Sequence, residues 1–128
     1  PKGAVRVASI YLPNGNPLGT EKFPYKLGWM DRLIRHSKEL LALEEVLVLA
    51  GDYNVIPTEL DAKHPEKWLN DALFQPESRG KFQNLLNLGF TDSVRQCCCH
   101  PRRHRIFATS GSTSICVTGK NHPTMCPW

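Results

Sequence analysis

The stretch VLVLAGDYNVIPTELD, residues 46–61, decides the fold, because it passes from a wholly apolar run into a group of polar residues. The run from Val46 to Ala50 is short and is bounded by Gly51, which favours a fully buried strand over a helix. Asp52 and Asn54 follow, and side chains two positions apart in an extended chain point the same way. A carboxylate and an amide are therefore predicted at the carboxyl end of a buried strand, where sites are common in layered α/β proteins.

Two earlier segments place this strand in an architecture. AVRVASIYL, Ala4 to Leu12, is rich in β-branched residues and mostly apolar on both faces, which predicts a strand covered on both sides. From Pro24 to about Glu44 apolar residues recur every three or four positions, which predicts an amphipathic helix. Its stripe consists of Leu27, Met30, Ile34, Ser37 and Leu41. A strand, a helix and a buried strand indicate α/β layers, although the pattern does not say whether the two strands pair.

The later part of the chain is predicted to add one helix. It runs from about Glu77 to Leu88, and Gly89 stands where a left-handed C-terminal cap would lie. Its buried face carries Phe82, Leu85 and Leu86. A short helical turn is expected around Lys67–Leu73, and another strand from Phe90 to Val94.

The composition changes near Arg95. The 128 residues are 41% hydrophobic and 22% charged, which is ordinary for a soluble globular protein. All 12 acidic residues lie in residues 1–95, while residues 96–128 hold all 5 cysteines and the basic excess that makes the net charge +4. We expect a partial domain over residues 1–95 and a disordered Cys/Arg-rich tail over 96–128. The bulk charge is therefore weak evidence for nucleic-acid binding.

The two ends of the chain give expectations about its setting. No run of about 18 apolar residues and no signal-peptide pattern occurs, which predicts a cytoplasmic protein with no membrane contact. Because the chain starts with Pro1 rather than Met, we expect the natural protein to begin earlier.

Four motifs resemble one enzyme family. GDYNVIPTELD, residues 51–61, resembles the Gly-Asp-x-Asn-x-x-Pro-x-x-x-Asp signature of exodeoxyribonuclease III and related apurinic/apyrimidinic (AP) endonucleases. IYLPNG, residues 10–15, is similar to the family's Tyr-x-Pro-x-Gly strand end, and KFPYK, residues 22–26, to the stretch that opens its next helix. Residues 68–95, WLNDALFQPESRGKFQNLLNLGFTDSVR, are similar to the family's following segment. The resemblance runs in order from about residue 4 to residue 95.

The resemblance implies a fold and an activity. The fold would be a four-layer α/β sandwich, two packed β-sheets flanked by helices, of which this chain holds a part that is incomplete at both ends. The activity would be Mg²⁺- or Mn²⁺-dependent hydrolysis of double-stranded DNA in base-excision repair, by incision at abasic sites and by 3′–5′ exonuclease digestion. The intact enzyme would be a monomer.

The resemblance also implies roles for particular residues. Asp52 would orient and deprotonate the attacking water, and Asn54 would join it in holding metal or phosphate. Tyr11 would donate a hydrogen bond to the phosphoryl oxygens as charge builds in the transition state. Lys22 and Lys26 would contact DNA phosphates.

Each of these residues also has a purely structural interpretation. Asp52 and Asn54 fit an ordinary turn, in which Asp52 starts the turn and Asn54 tolerates an unusual backbone angle. Tyr11 fits a half-buried aromatic residue at a strand end, and lysines before a helix are usually solvated. Four further residues are assigned to packing or surface only: His36, His64, Trp68 and Arg79.

Part of the family's site has no counterpart in this sequence. The family's early Asn and Glu would precede Pro1, and its late Asp-His pair would follow Arg95, where the tail has no acidic residue. We therefore expect the chain alone to be inactive. A reading-frame shift near Arg95 would explain the tail, and translating the other two frames tests that idea. Zinc or disulfides in the tail are poorly supported, because CCCH at 97–100 lacks paired ligand spacing and five cysteines leave one over.

Two other functions stay open. The chain could be a non-catalytic piece that binds DNA weakly through its basic tail. The same Gly-Asp-x-Asn core also serves phosphodiesterases that act on phosphoinositides or sphingolipids. Comparing cleavage of abasic DNA with cleavage of a lipid phosphodiester would discriminate between the substrates.

Overall fold

The computed structural model of the chain describes residues 4–93, and the predicted tail at 96–128 lies outside them. Two strands, β1 and β2, form a parallel pair, and two α-helices, α1 and α2, follow them in the chain order β1-α1-β2-α2. The bounds are β1 Val5–Tyr11, α1 Lys22–Leu41, β2 Val46–Asp52 and α2 Pro76–Leu86, with 3-10 turns at Glu59–Asp61 and Pro65–Trp68. The predicted mixed α/β order is confirmed, with helix and strand ends moved by a few residues.

The strand pairing, which the sequence left open, is direct and parallel. Val5 lies opposite Val46, and the register continues without a break to Tyr11 opposite Asp52. Both strands therefore end at the same edge, where the polar residues follow β2. Parallel pairing needs a long crossover connection, and α1 supplies it.

The core lies between the strand pair and the two helices. Its buried members include Ile10, Leu47 and Leu49 from the strands, Leu12 just after β1, Met30 from α1, and Phe82 and Leu85 from α2. The predicted stripe of α1 is confirmed at Met30 and Ser37, which are both buried. Pro24 stands in the first turn of the helix, where proline loses no helical hydrogen bond.

The prediction that β1 is covered on both sides does not hold within residues 4–93. Ile10 and Leu12 are buried against the core, whereas Val5 and Val7 on the opposite face are 59% and 68% exposed. The described residues supply a helical layer on one side of the strand pair only. The apolar face of Val5 and Val7 is therefore open.

The end of α2 follows its prediction more closely than the segment after it. Gly89 has φ 108°, the left-handed value expected of a C-terminal cap. The strand predicted from Phe90 is wrong over the described residues, since Thr91 and Asp92 are not in a strand and Ser93 is helical. Phe90 is 7% exposed, and its packing into the core outweighs a weak local β pattern. Val94 lies outside the described residues. None of the helices described is long and apolar enough to cross a membrane.

Candidate active site

The site begins at Gly51, where β2 passes very close to β1. Gly51 has φ 139°, and a Cβ atom built on it would lie 1.9 Å from the carbonyl oxygen of Ile10. No side chain fits at such a distance from a backbone atom. Glycine therefore lets the two strand ends approach, and this approach delivers Asp52 to the position beside Tyr11.

Asp52 and Asn54 are joined by a tight turn. The backbone N–H of Asn54 donates to Oδ1 of Asp52 at 2.8 Å, and Asn54 has φ 45°. Asparagine is one of the few residues that adopt the left-handed region readily. The extended geometry predicted for this pair is wrong, because the chain turns here. The turn interpretation is correct, and the turn itself brings Asp52 and Asn54 together.

The side chain of Asn54 ties the turn to the end of β1. Its amide Nδ2 donates to the carbonyl oxygen of Leu12 at 2.7 Å, and Asn54 is only 6% exposed. The backbone N–H of Leu12 in turn donates to the carbonyl oxygen of Asp52 at 2.8 Å. Asn54 therefore links the two strand ends by a hydrogen bond. The second hydrogen of its side-chain amide stays available to another acceptor.

Asp52 keeps one oxygen for other partners. Oδ1 accepts the hydrogen bond from the N–H of Asn54, whereas Oδ2 accepts none from residues 4–93. The residue is half-buried. A carboxylate held through one oxygen has a fixed orientation, and the other oxygen is free to accept a proton or a hydrogen bond.

Tyr11 lies next to Asp52 in the strand pair. The two residues are register partners, so their backbones are about one strand spacing, ~4.8 Å, apart. The Tyr11 side chain is 72% exposed rather than half-buried. Tyr11, Asp52 and Asn54 therefore lie together at the carboxyl edge of the pair, with Tyr11 open to an incoming molecule.

The two lysines that were predicted to contact DNA lie in different environments. Lys22 is exposed at the start of α1, so contact with a phosphate stays a prediction for it. Lys26 is fully buried, at 0% exposure. Its ammonium donates to the carbonyl oxygens of Asn14 at 3.0 Å, Asn54 at 2.5 Å and Ala72 at 3.4 Å. The phosphate role predicted for Lys26 is therefore replaced by an internal one, since the group faces backbone carbonyls rather than the surface.

Burial also changes the acidity of this lysine. Removal from water lowers the pKa of Lys26 to about 8, while the nearby carboxylates of Asp71 and Asp52 act in the opposite direction. The sequence held a signal for this burial. Lys26 precedes Met30 by four positions and Ser37 by eleven, which places it on the buried side of the helix.

The segments after the turn are held by their own hydrogen bonds. The hydroxyl of Thr58 and the carboxylate of Asp61 form a capping box around a 3-10 turn. Arg79 donates to the carbonyl oxygen of Pro57 at 2.9 Å and stacks over the ring of Phe74 at 4.8 Å. Arg79 and Trp68, which packs on the second buried cluster, have the structural roles that were expected for them.

The histidines considered in the sequence lie at the surface. His36 pairs with Glu39 and His64 with Glu66, and both imidazoles are more than half exposed. Both are surface residues, as expected.

The described residues do not by themselves fit a divalent metal ion. Magnesium requires several oxygen ligands in octahedral geometry. Among residues 4–93 no group of three or more Asp, Glu, His or Cys side chains is placed to hold an ion. Asp52 offers its Oδ2 and Asn54 its side-chain oxygen, since the bonds to Asn54 N–H and to Leu12 use Oδ1 of Asp52 and Nδ2 of Asn54. This part of the chain could supply at most a share of a ligand set.

Comparisons with known proteins agree with the family to which the motifs pointed. The chain is similar in sequence to enzymes named exodeoxyribonuclease, AP endonuclease and DNA repair nuclease. It is 36% identical over 91 residues to the exodeoxyribonuclease of Bacillus subtilis (strain 168), covering 71% of this chain and 35% of that protein. It is 38% identical over 90 residues to the DNA repair nuclease APEX1 of Danio rerio, covering 70% of this chain and 28% of that protein.

A solved structure gives the same result for the fold. The 3′–5′ exonuclease NExo from Neisseria meningitidis matches with a TM-score of 0.75 and 33% identity, over 90% of this chain and 48% of that one. No family model matches the chain. The chain thus spans about a third of the length of the curated relatives it matches, and about half of this solved structure.

Proposed function

We propose that the protein hydrolyses DNA phosphodiester bonds in repair, as a 3′–5′ exonuclease and abasic-site endonuclease. The observation that carries the proposal is the convergence of Tyr11, Asp52 and Asn54 at one edge of the strand pair. The similarity to enzymes named exodeoxyribonuclease and DNA repair nuclease supports the same activity. Double-stranded DNA that contains abasic sites is the proposed substrate.

The three residues divide the work of the reaction. Oδ2 of Asp52 takes a proton from the attacking water, because Oδ1 is occupied by the N–H of Asn54. The remaining amide hydrogen of Asn54 orients a phosphate oxygen. Tyr11, exposed beside Asp52, donates its hydroxyl to the phosphoryl oxygens as negative charge builds on them. Lys22, exposed nearby in the chain, adds a phosphate contact.

Metal dependence belongs to the same proposal. Mg²⁺ or Mn²⁺ would neutralise charge on the phosphate. The described residues offer too few oxygen ligands, so further acidic ligands would have to come from other parts of the protein. The chain alone is for this reason proposed to be inactive.

The proposed fold of the whole protein is the four-layer sandwich. Val5 and Val7 are 59% and 68% exposed on the face of β1 that turns away from the helices. An open apolar sheet face of this kind requires a cover. A second β-sheet packed on it would form the sandwich. The match covers 48% of the solved relative, so the other half of that protein has the length to supply such a sheet.

The test is Asp52→Asn in the protein translated from the complete coding region, assayed by nicking of abasic duplex DNA with Mg²⁺. Asparagine keeps the Oδ1 acceptor of the turn and removes the base, so activity should fall by about 10²–10⁴. Glu59→Gln, the same change in an exposed carboxylate seven residues along, is the control and should leave the rate unchanged. Equal nicking by Asp52→Asn and the parent would refute the proposal. The chain alone was proposed to be inactive. If the 128-residue chain nicks the DNA and Asp52→Asn abolishes that nicking, this part of the proposal is wrong.

A further inference from the structure

Lys26 joins three separate segments of the chain at one point. The carbonyl of Asn14 belongs to the loop after β1, that of Asn54 to the turn after β2, and that of Ala72 to the segment before α2. All three oxygens accept hydrogen bonds from a single buried ammonium. Because hydrogen bonds from a charged donor are stronger than neutral ones, this group is a strong point of attachment for the segments.

The partners of Lys26 are themselves fixed. The carbonyl oxygen of Ala72 also accepts the hydroxyl of Ser78 at 2.7 Å. The N–H of Ala72 donates to the side-chain oxygen of Asn16 at 2.9 Å. The loop after β1 and the segment before α2 are therefore linked directly as well as through Lys26. Movement of one segment would disturb the others.

A glycine makes room for the lysine stem. A Cβ atom built on Gly15 would lie 2.7 Å from Cδ and 3.3 Å from Cβ of Lys26. Gly15 also has φ 88°, which side chains rarely adopt. The glycine that ends the Tyr-x-Pro-x-Gly segment thus packs directly against the lysine that ends KFPYK. The two motifs meet as one structural unit.

The turn that carries the candidate base depends on this unit. Asn54 stands at φ 45° and is held at three points: its N–H by Asp52, its side chain by Leu12 and its carbonyl oxygen by Lys26. The first contact orients the Asp52 carboxylate directly. Loss of the contact with Lys26 would leave the carbonyl group of Asn54 without this hydrogen bond.

We infer that Lys26 is a positioning residue, which fixes the left-handed turn at Asn54 and through it the orientation of the Asp52 carboxylate. The inference rests on the proposed function only where it takes Asp52 to be the catalytic base that the turn orients. Lys26 touches neither substrate nor reacting atoms, since its ammonium is enclosed by carbonyl oxygens. Its removal should therefore lower the rate of the chemical step and leave affinity for DNA nearly unchanged.

The first measurement uses the unaltered chain. Lysine ammonium groups enclosed by hydrogen bonds exchange their protons with water slowly, whereas exposed ones exchange quickly. In ¹⁵N-labelled protein, the Lys26 ammonium should give a slowly exchanging signal with contacts to Gly15 and Asn54, and Lys22 should give none. An ammonium of Lys26 that exchanges as fast as that of Lys22 overturns the inference.

The second measurement compares Lys26→Met with Lys22→Met by hydrogen exchange. Methionine keeps the length of the stem and loses the three donors. The amide of Asn54 should exchange at least about tenfold faster in Lys26→Met, while the amide of Phe82 in α2 changes much less. Uniform acceleration of all amides would show a general loss of stability and would overturn the positioning role. If Lys26→Met does not fold, the ammonium signal of the unaltered chain decides.

The third measurement uses the complete protein on abasic DNA. Lys26→Met should lower kcat by about tenfold or more with KM nearly constant, because a transition-state orientation is lost. A phosphate contact would instead weaken DNA binding and reduce its salt dependence, and that result overturns the inference. Failure of the proposed function would be seen separately, as nicking that is insensitive to Asp52→Asn. The two exchange experiments do not depend on that outcome.

Discussion

The close approach of the two strands at Gly51 leads to a quantitative prediction for Gly51→Ala. The added Cβ atom would stand 1.9 Å from the carbonyl oxygen of Ile10, and 2.8 Å and 2.9 Å from its N and C atoms. These are backbone atoms of a paired strand, so they cannot rotate away. The strands would have to separate by more than about 1 Å at the point where the ladder ends.

The cost can be assembled from two contributions. A side chain at φ 139° costs about 1–3 kcal/mol of backbone strain. Separation of the strand ends weakens the hydrogen bond from Leu12 to Asp52 and its neighbour in the ladder, at about 1 kcal/mol each. Gly51→Ala should therefore lower the free energy of unfolding by about 3–5 kcal/mol, a large part of the total for a small domain.

Urea unfolding followed by circular dichroism measures this loss. Gly80→Ala provides a matched control, because Gly80 is exposed within α2 and a Cβ built on it meets nothing within 4 Å. In a helix interior the same substitution should stabilise the fold by about 0.5–1 kcal/mol. The reasoning fails if Gly51→Ala unfolds at the same urea concentration as the parent, or if both variants shift in the same direction.

Three further predictions concern buried groups. Ser37 is 1% exposed and its hydroxyl has no hydrogen-bond partner in the described part of the chain, so Ser37→Ala should keep or raise the free energy of unfolding, by up to about 1 kcal/mol. Phe82 is 2% exposed and meets the ring of Tyr53 edge-on at 5.7 Å, so Phe82→Ala should cost about 3–5 kcal/mol in the same urea experiment. Burial lowers the pKa of Lys26 from 10.5 to about 8, so between these values the unfolded chain binds a proton that the folded chain has lost. The contribution of Lys26 to stability should then rise from pH 8 to 10.5, and that rise should be absent in Lys26→Met; a slope that persists in the variant would contradict the assignment.

The elements that were predicted best are those with long or strongly apolar patterns. The helix near residues 24–44 and the strand from Val46 were found with small shifts at their ends, since side-chain periodicity records which face is buried. The cap at Gly89 was found because its positive φ favours glycine. The family resemblance was likewise available from the motifs, and the comparisons confirm it.

Two of the predictions that failed share a physical cause. The strand expected at Phe90 and the extended geometry at Asn54 were inferred from neighbours in sequence, while contacts from distant residues decide both. Phe90 packs into the core, and Asn54 is held by Leu12 and Lys26, which lie 42 and 28 positions away. Local propensity is too weak to resist such contacts.

Lys26 shows the same division between sequence and structure. In the sequence it is one of two lysines in KFPYK, and a charge before or within a helix is normally solvated. In the structure it is buried because three backbone carbonyls converge on its ammonium and replace its water. Only the packing of three loops creates those acceptors.

The sequence by itself determined the order of strand and helix, the apolar faces and the identity of the polar residues that follow β2. These properties are encoded in the spacing of neighbouring side chains along the chain, since that spacing sets which face each side chain occupies. The tertiary structure alone decided the register that sets Tyr11 beside Asp52, the left-handed turn at Asn54 and the burial of Lys26. Each of these depends on hydrogen bonds between residues far apart in the chain, and such partners exist only once the chain has folded.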